Sequence, residues 1–185
     1  MSIDLQALRY PVGKFEAPAV ISEEVKNNWI SEIEHFPLQL GAEVHHLTEE
    51  ELDFHYRPEG WTIRQVIHHC ADSHMNAFIR FKLALTEDLP NIKPYRQELW
   101  AEKADVLEAP VDWSLNLLNA LHKRWGVLLR SISDEEFKRS YQHPEYKTIV
   151  SLEIALGQYA WHCRHHLAHV KQARKYKNNF DQSYA

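Results

Sequence analysis

Cysteine is scarce in this chain: there are two among 185 residues, Cys70 and Cys163. So few cysteines in a chain of this length do not make a disulfide framework, and the reducing cytoplasm is the expected compartment. Glycine is sparse too, at five, and together with only eight prolines this excludes a fibrous or low-complexity chain. Basic charge is not in excess, since the formal net charge is −5. No nucleic-acid partner is therefore expected. No apolar run approaches the roughly 18 residues that a membrane span needs, so no membrane partner is expected either. The start, Met1-Ser2-Ile3-Asp4, lacks the basic residues and apolar run of a secretory signal.

Histidine is the residue in excess. Of 13 in the chain, seven crowd into two short segments, His68 to His74 and His162 to His169. Even scatter would place about one there, so the clustering asks for a chemical reason.

The remaining pattern is helical and fits a single domain over residues 1–185. Residues 1–21, with Pro11 and Pro18, read as an extended N-terminal arm. Ser22 caps a helix whose apolar positions Val25, Trp29, Ile33 and Phe36 recur at helical spacing. Pro37 and Gly41 predict a kink or break within it. Thr48-Glu49-Glu50-Glu51 is a capping box for a short helix, and Arg57-Pro58-Glu59-Gly60 is a turn. Thr62 to about Glu87 reads as one long helix. Asp88 to Val111, with three prolines, is a long connection of the sort that covers a site or an interface. Leu115, Leu118, Leu121, Trp125, Leu128 and Ile132 mark another amphipathic helix, followed by a capping box at Ser133. Lys138 to Val150 is irregular, with a short hairpin around His143-Pro144. Ser151 caps a final helix to about Tyr176. Four long helices with one long connection make an all-α four-helix bundle, not necessarily in simple up-down order.

A helix turns about 100° per residue, so positions i and i+4 share a face. The run WHCRHHLAH offers two such pairs, His162/His166 and His165/His169. The apolar stripe of this helix is Leu156, Ala160, Cys163, Leu167 and Val170. His162 and His166 lie roughly 60–100° from its centre and border the core, while His165 and His169, at roughly 120–160°, lean toward solvent. On the earlier helix His69 lies about 100° from the stripe centred on Cys70, and His68, at about 160°, points outward. Ser73, Asn76 and Arg80 share the flank with His69, forming a polar seam beside an apolar face. Two core-facing helices with histidines on such flanks can bring His69, His162 and His166 to one point. Three neutral imidazoles suit zinc or nickel, with cobalt, iron or copper open as alternatives. Three protein ligands leave room for water or substrate, the pattern of catalytic metal sites.

Plainer roles compete with this one. Histidine pairs at i, i+4 are often solvated. Cys70 and Cys163 read as small buried hydrophobes and His74 as a satisfied core histidine. Asp72 reads as an outward, solvated carboxylate. Tyr159 and Trp161 read as packing residues with the option of lining a pocket. Two E-x-x-H copies, Glu32 to His35 and Glu43 to His46, both fall in the first helical region. A di-iron bundle needs that motif on two helices, so this centre is not expected. No H-E-x-x-H motif is present, so no general base is built into the histidine run and the catalytic residues stay unassigned.

The segment GWTIRQVIHHCADSHMNAFIRFKLALTE, followed far downstream by YAWHCRHHLAHV, resembles the DinB/YfiT superfamily. Within that superfamily the chain is most similar to the YfiT-like metal-dependent hydrolases, a group that includes bacillithiol transferases. The likeness runs from Tyr10-Pro11-Val12-Gly13 to the last helix. It implies a four-helix bundle, often a homodimer, with one divalent metal, usually zinc or nickel, on three histidines. Those ligands fall on His69, His162 and His166, with no departure at any of the three. It further implies a hydrolase that activates water against a small-molecule substrate. The alternative is an S-transferase that activates a low-molecular-weight thiol such as bacillithiol. A third reading is a non-catalytic, metal-binding stress-response module.

Overall fold

The structure, a computed structural model, describes residues 4–180 except 146. Residues 1–3 of the expected arm thus lie outside the described residues. Four long helices carry the fold: α2 (Glu23–Val44), α4 (Ile63–Thr86), α7 (Val111–Ser131) and α9 (Leu152–Tyr176). Short helices lie between and before them: α1 (Leu5–Arg9), α3 (Glu49–Leu52), α5 (Gln97–Trp100), α6 (Ala104–Leu107) and α8 (Asp134–Phe137). Two strands, β1 (Ser140–His143) and β2 (Thr148–Ser151), pair antiparallel with Tyr141 opposite Val150. Among the described residues no helix is long and apolar enough to cross a membrane.

Local chemistry sets the helix starts. The Ser22 hydroxyl accepts from the Val25 N–H, and Glu23 and Glu24 sit where the helix dipole favours acid. Thr62 and Gln65 satisfy each other's backbone N–H groups in a capping box at the start of α4. Ser151 ends the hairpin and caps α9 through the Ile154 N–H, so the hairpin fixes where the histidine-bearing helix begins.

α2 packs on α7 and α9, and α4 also packs on α7 and α9. The consecutive long helices α2 and α4 therefore stand across the bundle from each other, as do α7 and α9. The long connections make this order possible. Ile33, Phe36 and Leu40 of α2 meet Ile67, Cys70 and Phe81 of α4 in one buried cluster, with Leu118, Trp125 and Leu129 of α7 and Leu156, Ala160 and Val170 of α9. Each buried aliphatic side chain of this kind contributes about 1.5–3 kcal/mol.

Two expectations are corrected in part. α2 is not broken at Pro37 or Gly41 but stays helical through both. Proline removes the donor that would serve the carbonyl of Ile33, four residues earlier. That carbonyl instead accepts from Nδ1 of His122 on α7 at 2.6 Å, so the gap is filled from a neighbouring helix. The N-terminal arm is not wholly extended, since α1 occupies Leu5–Arg9. Asp4 caps it through the N–H groups of Gln6 and Ala7. Five residues are too few for a stable isolated helix. Docking holds this one: Leu8 is buried, and the carbonyls of Leu8 and Arg9 accept from Gln172 and His169 of α9.

Candidate metal centre

His69 comes from the second turn of α4, and His162 and His166 come from the middle of α9, one turn apart. One ligand nitrogen from each lies within 4.8 Å of the others. Nε2 of His69 and Nε2 of His162 are 3.3 Å apart. Two nitrogens bound about 2.0–2.1 Å from a tetrahedral zinc sit about this far apart, so the spacing fits an ion. The rings crowd at 4.3–5.3 Å between centroids. Trp61 lies against His69 with ring centroids 4.7 Å apart, which narrows the room for ring rotation.

The imidazoles are neutral near pH 7. Burial pulls the pKa of His69 down to about 3, with the charge of His165 as the smaller cause. Burial, then the neighbouring histidines, hold His162 and His166 well below the ordinary value. Neutral imidazole is the ligating form. Among the described residues no carboxylate belongs to the cluster, so a divalent ion there would keep its full charge.

Behind the cluster runs a file of buried histidines. His122 Nδ1 meets the Ile33 carbonyl at 2.6 Å, His122 Nε2 meets His74 Nδ1 at 2.7 Å, and His74 Nε2 meets His162 Nδ1 at 3.0 Å. A carbonyl oxygen only accepts, so Nδ1 of His122 must donate. Burial lowers the pKa of His122 to about 4 and holds His74 far below its ordinary value, so both rings carry one proton each. Nε2 of His122 therefore accepts from Nδ1 of His74, and Nε2 of His74 accepts from Nδ1 of His162. The last ring is left with its lone pair on Nε2, facing His69. A hydrogen bond on the far nitrogen is the usual means of fixing a metal-binding histidine.

A second triad adjoins the first. His165, His166 and His169 also place ligand atoms within 4.8 Å of one another. Nε2 of His169 donates to the Arg9 carbonyl at 3.2 Å, and the Nδ1 atoms of His165, His166 and His169 are buried without a partner. His165 and His169 are buried, contrary to the expectation that they lean toward solvent. Tyr56 stacks on His169 at 3.8 Å, Trp161 stacks on His165 at 4.4 Å, and Tyr10 approaches His165. His68 is likewise buried rather than outward, held by Ser114 at 2.7 Å and by the Ala109 carbonyl at 3.3 Å. Asp72 is half-buried rather than fully solvated, and burial, then Asp105, raises its pKa to about 6. In each case a segment distant in sequence covers a face that looks free on one helix alone.

His74 is fully buried and hydrogen-bonded, as its core role requires. Cys70 and Cys163 are buried free thiols whose pKa values burial pushes upward, so neither supplies a thiolate. Glu32 pairs with Arg164, and Glu43 pairs with Arg174 and Lys171, which removes both from any di-iron site.

Two cavities meet at His162. One, of about 490 Å³, is lined by His69, His162 and His166 together with Tyr10, Trp61 and Glu98. The other, of about 590 Å³, is lined by His162 with Ser73, Arg80, Tyr95 and Tyr159, and Trp161 lines both. Gln97 and Glu98 of α5 line both, so the long connection does cover the site.

A family model described as the DinB superfamily matches residues 39–170. The chain belongs to the DinB superfamily. The relative named "Putative metal-dependent hydrolase YfiT" from Bacillus subtilis (strain 168) is 48% identical over 165 residues, covering 89% of this chain and 93% of the relative. A Bacillus cereus (strain B4264) protein of the same hydrolase name is 50% identical over 171 residues, covering 92% and 98%. The solved structure of YfiT from Bacillus subtilis superposes with a TM-score of 0.90 at 47% identity, covering 92% of this chain and 98% of that one. That structure is described as having an unusual four-helix bundle topology.

Two parts of this DinB-superfamily site escape a reading of the sequence. His122 stands alone at its place in the chain, and only the pairing of α2 with α7 brings it to Ile33. Glu98 sits in the connection, where no periodic pattern marks the face that meets the cavities.

Proposed function

We propose that His69, His162 and His166 hold one divalent metal ion, zinc or nickel, and that the site hydrolyses an ester, amide or similar bond in a small molecule. The observation that carries this reading is the convergence of three neutral imidazoles on one point at the wall of one cavity, with His162 also lining a second and its Nε2 presented by its hydrogen-bonded neighbours. The hydrolase names of relatives at 48–50% identity support it. When bound, the ion would supply a Lewis acid able to lower the pKa of water toward about 7.

The chain's own residues do the rest. The His122–His74 file orients His162, and Trp61 restrains His69. Glu98 is the carboxylate common to both cavities, and it is assigned here as the proton acceptor.

A second reading, transfer of a small thiol to an electrophile, has its own support. Among the described residues no carboxylate joins the triad, and an uncompensated dication suits an anionic sulfur. The thiol would be a co-substrate, because Cys70 and Cys163 are buried and protonated.

The deciding assay uses the metal-loaded protein with 4-nitrophenyl acetate and, separately, with a low-molecular-weight thiol plus monochlorobimane. Ester turnover that vanishes in His162→Ala supports hydrolysis. Conjugation without ester turnover supports the transferase. Full metal occupancy with neither activity overturns both and leaves a metal-binding module.

A further inference from the structure

The polar seam on α4 does not end at His69. Ser73 and Arg80 follow on the same flank and line the 590 Å³ cavity that opens beside His162. The rise from His69 to Arg80 is about 16 Å along the axis. Side chains lean back toward the helix N-terminus, so Arg80 reaches toward the metal cluster rather than away from it.

Arg57 and Arg80 are the arginines whose Nε is buried without a partner among the described residues, and of the two only Arg80 lines the 590 Å³ cavity. Arg64, Arg130, Arg164 and Arg174 each pair with a glutamate. Arg139 donates to the carbonyls of Ala84 and Glu87 at 2.6 and 2.7 Å. Among the described residues Arg80 makes two hydrogen bonds, both long and both to neutral oxygens: the Tyr159 hydroxyl at 3.4 Å and the Lys93 carbonyl at 3.5 Å. Its Nε is buried with no partner at all. A guanidinium carries five donors in a planar fork that matches a carboxylate with two parallel bonds. Among the described residues no carboxylate takes that place. Glu98 and Glu145 line the cavity, but both are exposed at its rim, and neither comes within ion-pair distance of Arg80.

The surroundings suit an anion. Tyr159 stands between the two sites, with its hydroxyl on Arg80 and its ring 5.8 Å from the ring of His162. Ser73, Tyr95 and Tyr159 bring their hydroxyls to the wall of the same cavity. These hydroxyls can turn to donate to a bound oxygen. The charge of Arg80 also favours the ionised forms of Tyr95, Tyr141 and Tyr159, so its field reaches across the cavity.

We propose that Arg80 anchors a carboxylate on the substrate, so that the site takes small molecules with an anionic group at one end and the reactive bond at the other. The hydrogen-bonding residues around it are Ser73, Tyr95 and Tyr159. The inference rests on the hydrolase reading for the reactive end only. The anion pocket itself holds whichever reaction the metal serves.

The test has two arms, both on metal-loaded protein at constant ionic strength. In the first, glutarate and its neutral analogue glutaramide are titrated against tryptophan fluorescence, Trp161 being part of both cavity walls. Glutarate is expected to bind at least ten-fold more tightly. Arg80→Met should remove that preference, and Arg80→Lys should restore part of it. Helical circular dichroism and metal content check that each variant is folded, with Arg80→Gln as a second neutral variant. Binding of glutarate through the metal alone would leave its affinity unchanged in Arg80→Met and would overturn the proposal. In the second arm, mono-4-nitrophenyl glutarate is compared with 4-nitrophenyl valerate. The anionic ester should have the higher kcat/KM, and Arg80→Met should cut only that one. If neither ester turns over, the hydrolase reading fails while the titration still decides the role of Arg80.

Discussion

The Ile33 carbonyl, left without a helical donor by Pro37, accepts a hydrogen bond from Nδ1 of His122 at 2.6 Å. This bond sets the proton positions of His122, His74 and His162 in turn. Replacing His122 by Phe should therefore have two effects. The carbonyl is stranded in the core at a cost of about 1–3 kcal/mol. Metal affinity should fall about 10–100-fold, because His162 loses its fixed tautomer. Denaturant unfolding of the metal-free protein and chelator competition on the loaded protein measure the two effects separately.

Acid should unfold the metal-free protein early. The folded-state pKa values of His69, His122, His165 and His169 are depressed to about 3 or 4, all by burial first. In the unfolded chain the same groups titrate near 6.5. Below that pH the unfolded state binds more protons, so stability falls as the pH drops from about 6.5 toward 4. Above 6.5 these groups leave it flat. Each group contributes up to about 1.4 kcal/mol per pH unit. Melting temperatures of the metal-free protein between pH 8 and pH 5 should be level above 6.5 and fall steeply below.

Replacing Glu98 by Gln should lower kcat for ester hydrolysis by about 10²–10⁴-fold while metal content stays at the wild-type level. The residue lies on exposed α5, so stability should hardly change. Parallel rate and metal measurements on E98Q test this assignment.

Neither cysteine is expected to take part in the site, since both thiols are buried and held protonated. The double variant Cys70→Ala with Cys163→Ala should keep its full metal content and its ester turnover. Both thiols of the native wild-type protein should resist a thiol-labelling reagent until the chain is unfolded. Rapid native labelling or loss of metal in the variant would place a thiol at the site.

Much of this architecture is legible in the residue pattern. The spacing over Thr62 to Glu87 anticipates α4 to within one residue at each end, and Ser151 marks the cap of α9. Periodicity works there because these helices bury one stripe and have clear caps. The helical wheel places His69, His162 and His166 beside the core for the same reason. It misplaces His68, His165 and His169 because their cover comes from α1, from the turn near Tyr56 and from the long connection. A pattern on one helix holds no information about what lies across from it. Pro37 misleads for a related reason: the proline rule concerns a lone helix, and His122 on α7 supplies what the rule says is missing. The cavity face of α5 carries no period in a four-residue helix, so Glu98 has no signal to read.

The most direct test of the account is the metal stoichiometry of His69→Ala beside that of His169→Ala, measured by elemental analysis after dialysis against trace metal. His69 belongs only to the first triad and His169 only to the second. One ion per chain is expected in the wild-type protein and in His169→Ala, and almost none in His69→Ala. Retention of a full ion by His69→Ala, with loss in His169→Ala, would contradict the assignment of the metal to His69, His162 and His166.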